Sequence, residues 1–195
     1  MLYDMLPNRE AVDVHILGTD TDEVALNRAR AGLYSAQQLE RFDPDQIRRH
    51  FEKTPIGYVV GPHLRKWISV RQMDLDSPKW PFTEPFDALY FHNSGVTFDL
   101  STQDRLVRRF AKHVATDGRF FVVRPELPNV MPEIWRPVGP SIFEPTAYQK
   151  AIQQMVGAAT PMQRGTPKIA SAPVLPPEMA SVPSVRIIVG QVEAR

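Results

Sequence analysis

The apolar positions fall into short runs separated by longer, helix-spaced stripes. Val12-Asp13-Val14-His15-Ile16-Leu17-Gly18-Thr19-Asp20 reads as a strand and leads into Asp22-Glu23-Val24-Ala25-Leu26-Asn27-Arg28-Ala29-Arg30-Ala31, whose spacing predicts a helix. That helix has acidic residues in its first turn, basic ones near its end and Gly32 as a stop, as the helix dipole and a left-handed cap favour. Ser35 with Gln38, then Asp43 with Pro44 and Gln46, mark two more helix starts, and these short helices run to about Phe51.

Gly57 to Pro62 predicts an edge ribbon and turn, and Trp67 to Met73 alternates like a strand. Phe86 to Phe91 is another strand, bounded by Pro85 and the polar pair His92-Asn93. Leu106, Val107, Phe110 and Val114 lay an apolar stripe on a helix capped by Ser101 or Thr102 and ended at Gly118. Arg119 to Val123 follows as a buried strand. Strand and helix alternate, which predicts a mostly parallel sheet with helices on both faces.

Beyond Pro125 the texture changes. Six prolines between Pro125 and Pro145 predict an extended, turn-rich connection before a helix at about 146–156. Residues 158–195 hold six more prolines among Ala, Ser and Thr and read as a flexible linker. Val185-Arg186-Ile187-Ile188-Val189 is too apolar for a pure linker; it reads as a strand without a visible partner, suited to the edge of this sheet or of another protein.

Composition narrows the chemistry. With 195 residues and 43% apolar content there is material for one ordinary core, and no internal repeat is apparent. Without cysteine there are no disulfides, thiolate zinc sites or cysteine nucleophiles. No two glycines lie closer than four residues and no G-x-x-x-x-G-K occurs, which excludes both the G-x-G-x-x-G turn and the P-loop. There is no G-x-S-x-G elbow, and His15, His50, His63, His92 and His113 show no metal spacing, so no metal is expected. The net charge of +1 gives no global pull toward nucleic acid or membrane. The start lacks signal-peptide features and no run is long enough to span a bilayer, which predicts a cytoplasmic protein without membrane insertion. Arg105, Arg108, Arg109 and Lys112 share one side of a helix and read first as a solvated face, with an acidic-partner surface as the alternative.

Asp20 is the most informative position. An acidic residue ending the second strand of a nucleotide-binding α/β fold holds the cofactor's ribose hydroxyls, although the same carboxylate also suits a helix N-cap. A first strand, turn and crossover need roughly 30 residues, and only 19 residues precede Asp20. The fold is expected to begin in its middle.

Several segments together carry a family resemblance: Gly18-Thr19-Asp20-Thr21-Asp22, Ala29-Arg30-Ala31-Gly32-Leu33-Tyr34, and the run from Phe86 through His92-Asn93-Ser94-Gly95-Val96-Thr97-Phe98-Asp99. The ribbon around Tyr58, Gln103 and Thr116-Asp117-Gly118 fit the same order. Over roughly residues 1–150 the chain resembles the S-adenosylmethionine-binding domain of the CheR-type chemotaxis-receptor methyltransferases. The resemblance implies an α/β fold: an incomplete doubly wound, Rossmann-like, mostly parallel sheet, a small β-subdomain inserted at about 55–70, and a disordered tail over 158–195. It also implies S-adenosylmethionine as cofactor, bound weakly or not at all, and as partner a methyl-accepting chemotaxis receptor or related signalling protein.

By position, the resemblance puts Asp20 on the ribose, Asp74 and Leu75 along the adenine, and Phe91, His92 and Asn93 around the methyl group. His92 stands where the family has an arginine and Thr97 where it has an active-site tyrosine. The N-terminal helical domain, first strand and cofactor loop have no counterpart, and residues 1–6 match only the last turns of the helix after that loop. Two function classes remain open: a truncated or degenerate protein-glutamate O-methyltransferase, inactive on its own, and a non-catalytic pseudo-methyltransferase acting as an interaction module in bacterial signalling. Measured cofactor affinity separates them.

Overall fold

The strand that ends in Asp20 organises the molecule. In the computed structural model, which describes residues 2–6, 11–91, 98–122, 130–158 and 184–190, β1 (Asp13–Asp20) is buried over its last four residues. Burial along consecutive residues means that both faces are covered, as expected inside a parallel sheet. β1 pairs in parallel with β5 (Ile68–Gln72) on one side, through Ile16 opposite Ile68 and Asp20 opposite Gln72.

On its other side β1 pairs with β10 (Ser184–Gly190), again in parallel, with Asp13 opposite Ser184 and Thr19 opposite Gly190. β10 pairs in turn with β6 (Phe86–Phe91), with Ile187 opposite Ala88 and Gly190 opposite Phe91. β6 then pairs in parallel with β7 (Val114–Val122). Two antiparallel strands, β9 (Ile142–Pro145) and β8 (Trp135–Gly139), finish that side, giving the order β5-β1-β10-β6-β7-β9-β8.

Several expectations are corrected here. The four strands foreseen near residues 13, 68, 86 and 119 do share one sheet, but it is not incomplete between β1 and β6, because β10 fills that place. The tail strand is central, not at an edge, and it has two partners. Within the stretch read as linker, 184–190 is ordered strand; residues 159–183 lie outside the described set. The sheet is mixed, with five parallel strands and an antiparallel hairpin at one end. The proline-rich stretch supplies that hairpin: Pro137 sits in β8, an edge strand that tolerates a residue without an N–H, and Ser141 turns the chain at φ 62°.

Local chemistry sets the helices. α1 (Leu2–Met5) is a single turn, and α2 (Glu23–Ala31) is capped by Asp22, whose carboxylate accepts the Val24 N–H, and ends at left-handed Gly32. α3 (Ala36–Leu39) opens with the Ser35–Gln38 capping box, and α4 (Pro44–His50) with Asp43 and Pro44. α5 (Pro62–Arg65) leads into β5. α6 (Leu100–His113) is capped by Asp99, not by Ser101 or Thr102, and it ends at His113, so Val114 and Gly118 belong to β7. α7 (Ala147–Ala158) follows β9.

A second sheet holds β2 (Leu33–Tyr34), β4 (Gly57–Val60) and β3 (Phe51–Thr54), all antiparallel. The ribbon at 57–60 is its central strand, not an edge, and 68–70 belongs to β5 of the large sheet. Gly57, at φ 147°, is required: a Cβ there would lie 2.6 Å from the Tyr34 carbonyl oxygen.

The main core lies where α6 meets β6 and β7. Phe91, Phe110, Phe120 and Trp135 form a chain of rings with successive centroids 5.1, 5.3 and 4.9 Å apart. Trp135 is fully buried and its indole N–H donates to the Val107 carbonyl at 3.2 Å.

Candidate functional site

Parallel strands present their carboxyl ends along one edge, and ligands of such sheets bind there. Here that edge brings together Gln72 of β5, Asp20 of β1, Gly190 of β10 and Phe91 of β6, with Asp20 opposite Gln72 and Gly190 between Thr19 and Phe91. Asp20 is 5% exposed. Its Oδ1 accepts the backbone N–H of Asp22 at 2.9 Å, which fixes the carboxylate at the turn out of the strand, and its carbonyl accepts the Met73 N–H at 2.9 Å. The N-cap of α2 is Asp22, and Asp20 stands two residues before it. A buried carboxylate at this edge is chemically suited to accept hydrogen bonds from a vicinal diol such as a ribose.

The segment after β5 lies beside it. Asp74 is exposed and its Oδ1 accepts the Asp76 N–H at 2.9 Å, while Leu75 is buried in the main core. Arg109 of α6 donates to the carbonyls of Leu75 at 2.8 Å and Ser77 at 2.6 Å, and Arg105 donates to Asp76 at 2.9 Å. The basic side of α6 thus braces this segment, which the sequence reading as a solvated face missed. No spacing rule connects α6 to a loop about 30 residues upstream, so only the structure could find it.

The Phe91 side chain is 1% exposed and packs on Phe110, so what β6 offers the edge at that residue is backbone. His92, Asn93 and Thr97 lie outside the described residues. Gly190 was not among the expected site residues, because its place depends on a pairing that spacing along the chain does not reveal.

Two other features lie off this edge. His50, 2% exposed, shares a 3.0 Å hydrogen bond from Nδ1 to His63 Nε2 and a 3.1 Å contact from Nε2 to the Asp4 carboxylate. Tyr3 packs on the same imidazoles and on Trp67, so this cluster fastens α1 to α4 and α5. Burial opposes the charge on Asp4, but the hydrogen bond to His50 and the nearby Arg49 hold its carboxyl below the usual value. No group of three or more His, Cys, Asp or Glu suited to a metal occurs among the described residues. A pocket of about 400 Å³ lies between β1, β5, α2 and the small sheet, lined by Ile16, Arg30, Tyr34, Arg65 and Val70 among others. Its lining does not include Asp20 or Asp74, so it is distinct from the carboxyl edge.

Comparison with known proteins gives consistent matches. A family model described as CheR methyltransferase, SAM binding domain, matches residues 1–134. The chain is 28% identical over 115 residues to the chemotaxis protein methyltransferase of Escherichia coli K12, covering 54% of this chain and 38% of that protein. It is 30% identical over 129 residues to the chemotaxis protein methyltransferase of Klebsiella aerogenes, covering 62% and 42%. Against chemotaxis protein methyltransferase 2 of Pseudomonas aeruginosa it is 28% identical over 137 residues, covering 68% and 49%. The chain spans about two-fifths to one-half of the length of these relatives. Among the described residues, no helix is long and apolar enough to cross a membrane.

Proposed function

The chain belongs to the CheR methyltransferase family, SAM binding domain, and from that premise we propose that it is a degenerate protein-glutamate O-methyltransferase domain of the chemotaxis-receptor type. Its cofactor is S-adenosylmethionine, and its partner is a methyl-accepting chemotaxis receptor or a related signalling protein. The observation that carries this reading is the buried Asp20 at the carboxyl end of β1, beside the segment from Met73 to Leu75, in a chain that this family matches over residues 1–134. The cofactor domain takes in residues 1–150 together with the strand 184–190, and its inserted β-subdomain is the small sheet of β2, β3 and β4.

Asp20 accepts from the ribose hydroxyls, and the backbone around Asp74 and Leu75 flanks the adenine. The end of β6 at Phe91, followed by His92, Asn93 and Thr97, borders the reacting centre. When bound, the cofactor supplies a methyl group on a sulfonium sulfur. A substrate glutamate has an ordinary pKa of about 4.3 and is already an ionised nucleophile at neutral pH, so none of these residues is needed as a general base. Their work is to position the reactants and to exclude water. With His92 and Thr97 in place of an arginine and a tyrosine, this chain holds the adenosine half and controls the methyl end poorly.

The test is calorimetric titration with S-adenosylmethionine, alongside methyl incorporation into a receptor. We expect saturable binding weaker than micromolar, less favourable than about −8 kcal/mol, and no transfer. Absence of any binding, or tight binding with efficient glutamate methylation, would overturn this reading.

A further inference from the structure

The family match ends at residue 134, but the sheet is whole only with residues 184–190. β10 lies between β1 and β6 and pairs with both in parallel. Without it, β1 and β6 would stand two strand spacings apart, about 9.5 Å, each with an unpaired inner edge. Such an edge in a sheet interior is costly, because its N–H and C=O groups have neither partners nor free access to water. The sequence of β10 fits the place. In Val185-Arg186-Ile187-Ile188-Val189 the last three residues are apolar in succession, as a strand covered on both faces requires, and the charged Arg186 falls nearer the start of the strand, opposite His15. In register, Ile188 falls between Leu17 and Leu89, both buried core residues.

The same strand completes the carboxyl edge. Gly190 lies between Thr19, the neighbour of Asp20, and Phe91 at the end of β6. We propose that the gap between β1 and β6 is a strand-acceptor site loaded by the chain's own C-terminal strand, and that loading assembles the edge on which the adenosine half of the cofactor binds. The second clause rests on the proposed function; the first does not. Docking in cis is favoured by reach. The 25 residues from 159 to 183 can span up to about 85 Å, whereas a domain of this size has a radius of gyration of about 15 Å.

The absence of cysteine permits a direct test. In the full chain, Ile16→Cys with Ile187→Cys joins two positions in register, and at low protein concentration oxidation should give an intramolecular disulfide. Ile187→Pro removes a ladder N–H, and amides of β1 and β6 should then exchange about tenfold faster or more. A chain ending at residue 183 should behave likewise, and a synthetic peptide of residues 181–195 should restore both the protection and any binding of S-adenosylmethionine. If the truncated chain does not fold, the disulfide and the exchange of 184–190 in the full chain still decide the matter. Disulfides formed between chains, unprotected amides across 184–190, or unchanged protection of β1 and β6 in the proline variant would each overturn the proposal. Failure of the full chain to bind S-adenosylmethionine, with the exchange results as expected, would instead count against the proposed function.

Discussion

The guanidinium of Arg109 donates to the carbonyl of Leu75 at 2.8 Å, tying α6 to the segment that follows β5. The same group reaches the Ser77 carbonyl and lies over the Trp80 ring, 5.5 Å from its centroid, so one side chain holds three parts of that segment. Arg109→Met keeps the aliphatic stem but leaves two carbonyls without their charged donor. Hydrogen bonds to charged groups contribute about 1.5–3 kcal/mol each, so the unfolding free energy should fall by about 1–3 kcal/mol after partial compensation by water. Cofactor affinity should fall as well, whereas Arg108→Met, at an exposed site 3.9 Å from Glu133, should change either quantity little. Urea unfolding and calorimetry on both variants check this.

Trp135 is fully enclosed, and its ring lies 4.9 Å from that of Phe120. Trp135→Ala should cost about 3–5 kcal/mol, because it removes a large buried side chain and leaves the Val107 carbonyl without its donor. Trp135→Phe should cost less, since it retains most of the volume. Denaturant midpoints of the two variants order these effects.

Acid should destabilise the fold in two stages. The Asp99 carboxyl is held below its usual value first by the Thr102 N–H and then by the Ser101 hydroxyl, and that of Glu144 by Arg136. For these groups and Asp4 the folded pKa lies below the unfolded one, so their contribution is fully present above the unfolded carboxylate value and is lost as pH falls through the folded one. His113 responds at higher pH. Its burial between α6 and Trp80 favours the neutral ring and lowers its pKa from 6.5, so the unfolded chain takes up a proton first and stability declines as pH falls below about 6.5. Urea midpoints between pH 7.5 and 3 should show both declines, and His113→Phe should remove the upper one alone.

What the sequence made legible was local. The caps at Ser35 and Asp43 follow from side chains that bond to backbone a few residues away, and the stop at Gly32 from a left-handed residue, whereas the cap of α2 is Asp22 and not the Asp20 that the sequence offered. The cap of α6 was misplaced because Asp99, Ser101 and Thr102 are all good caps within four residues, and only the structure shows which accepts the Thr102 N–H. The end of α6 was missed because the chain passes from His113 directly into β7 without a glycine. The β8–β9 hairpin was hidden by its prolines, which an edge strand tolerates. Asp20 was legible as a candidate because an acidic strand end has chemical meaning by itself. Gly190 and Arg109 were not, because their places depend on pairing and packing across the fold.

The most direct measurement is the affinity of the full chain for S-adenosylmethionine with and without Asp20→Asn. Asn keeps the shape and can still accept the Asp22 N–H, but it removes the charge and one of the two acceptor oxygens. Binding weaker than micromolar to the native chain, reduced about tenfold or more by Asp20→Asn, or about 1.4 kcal/mol, with an unchanged melting temperature, is the expected result. Equal affinity of the two proteins would contradict the placement of the cofactor at the carboxyl end of β1.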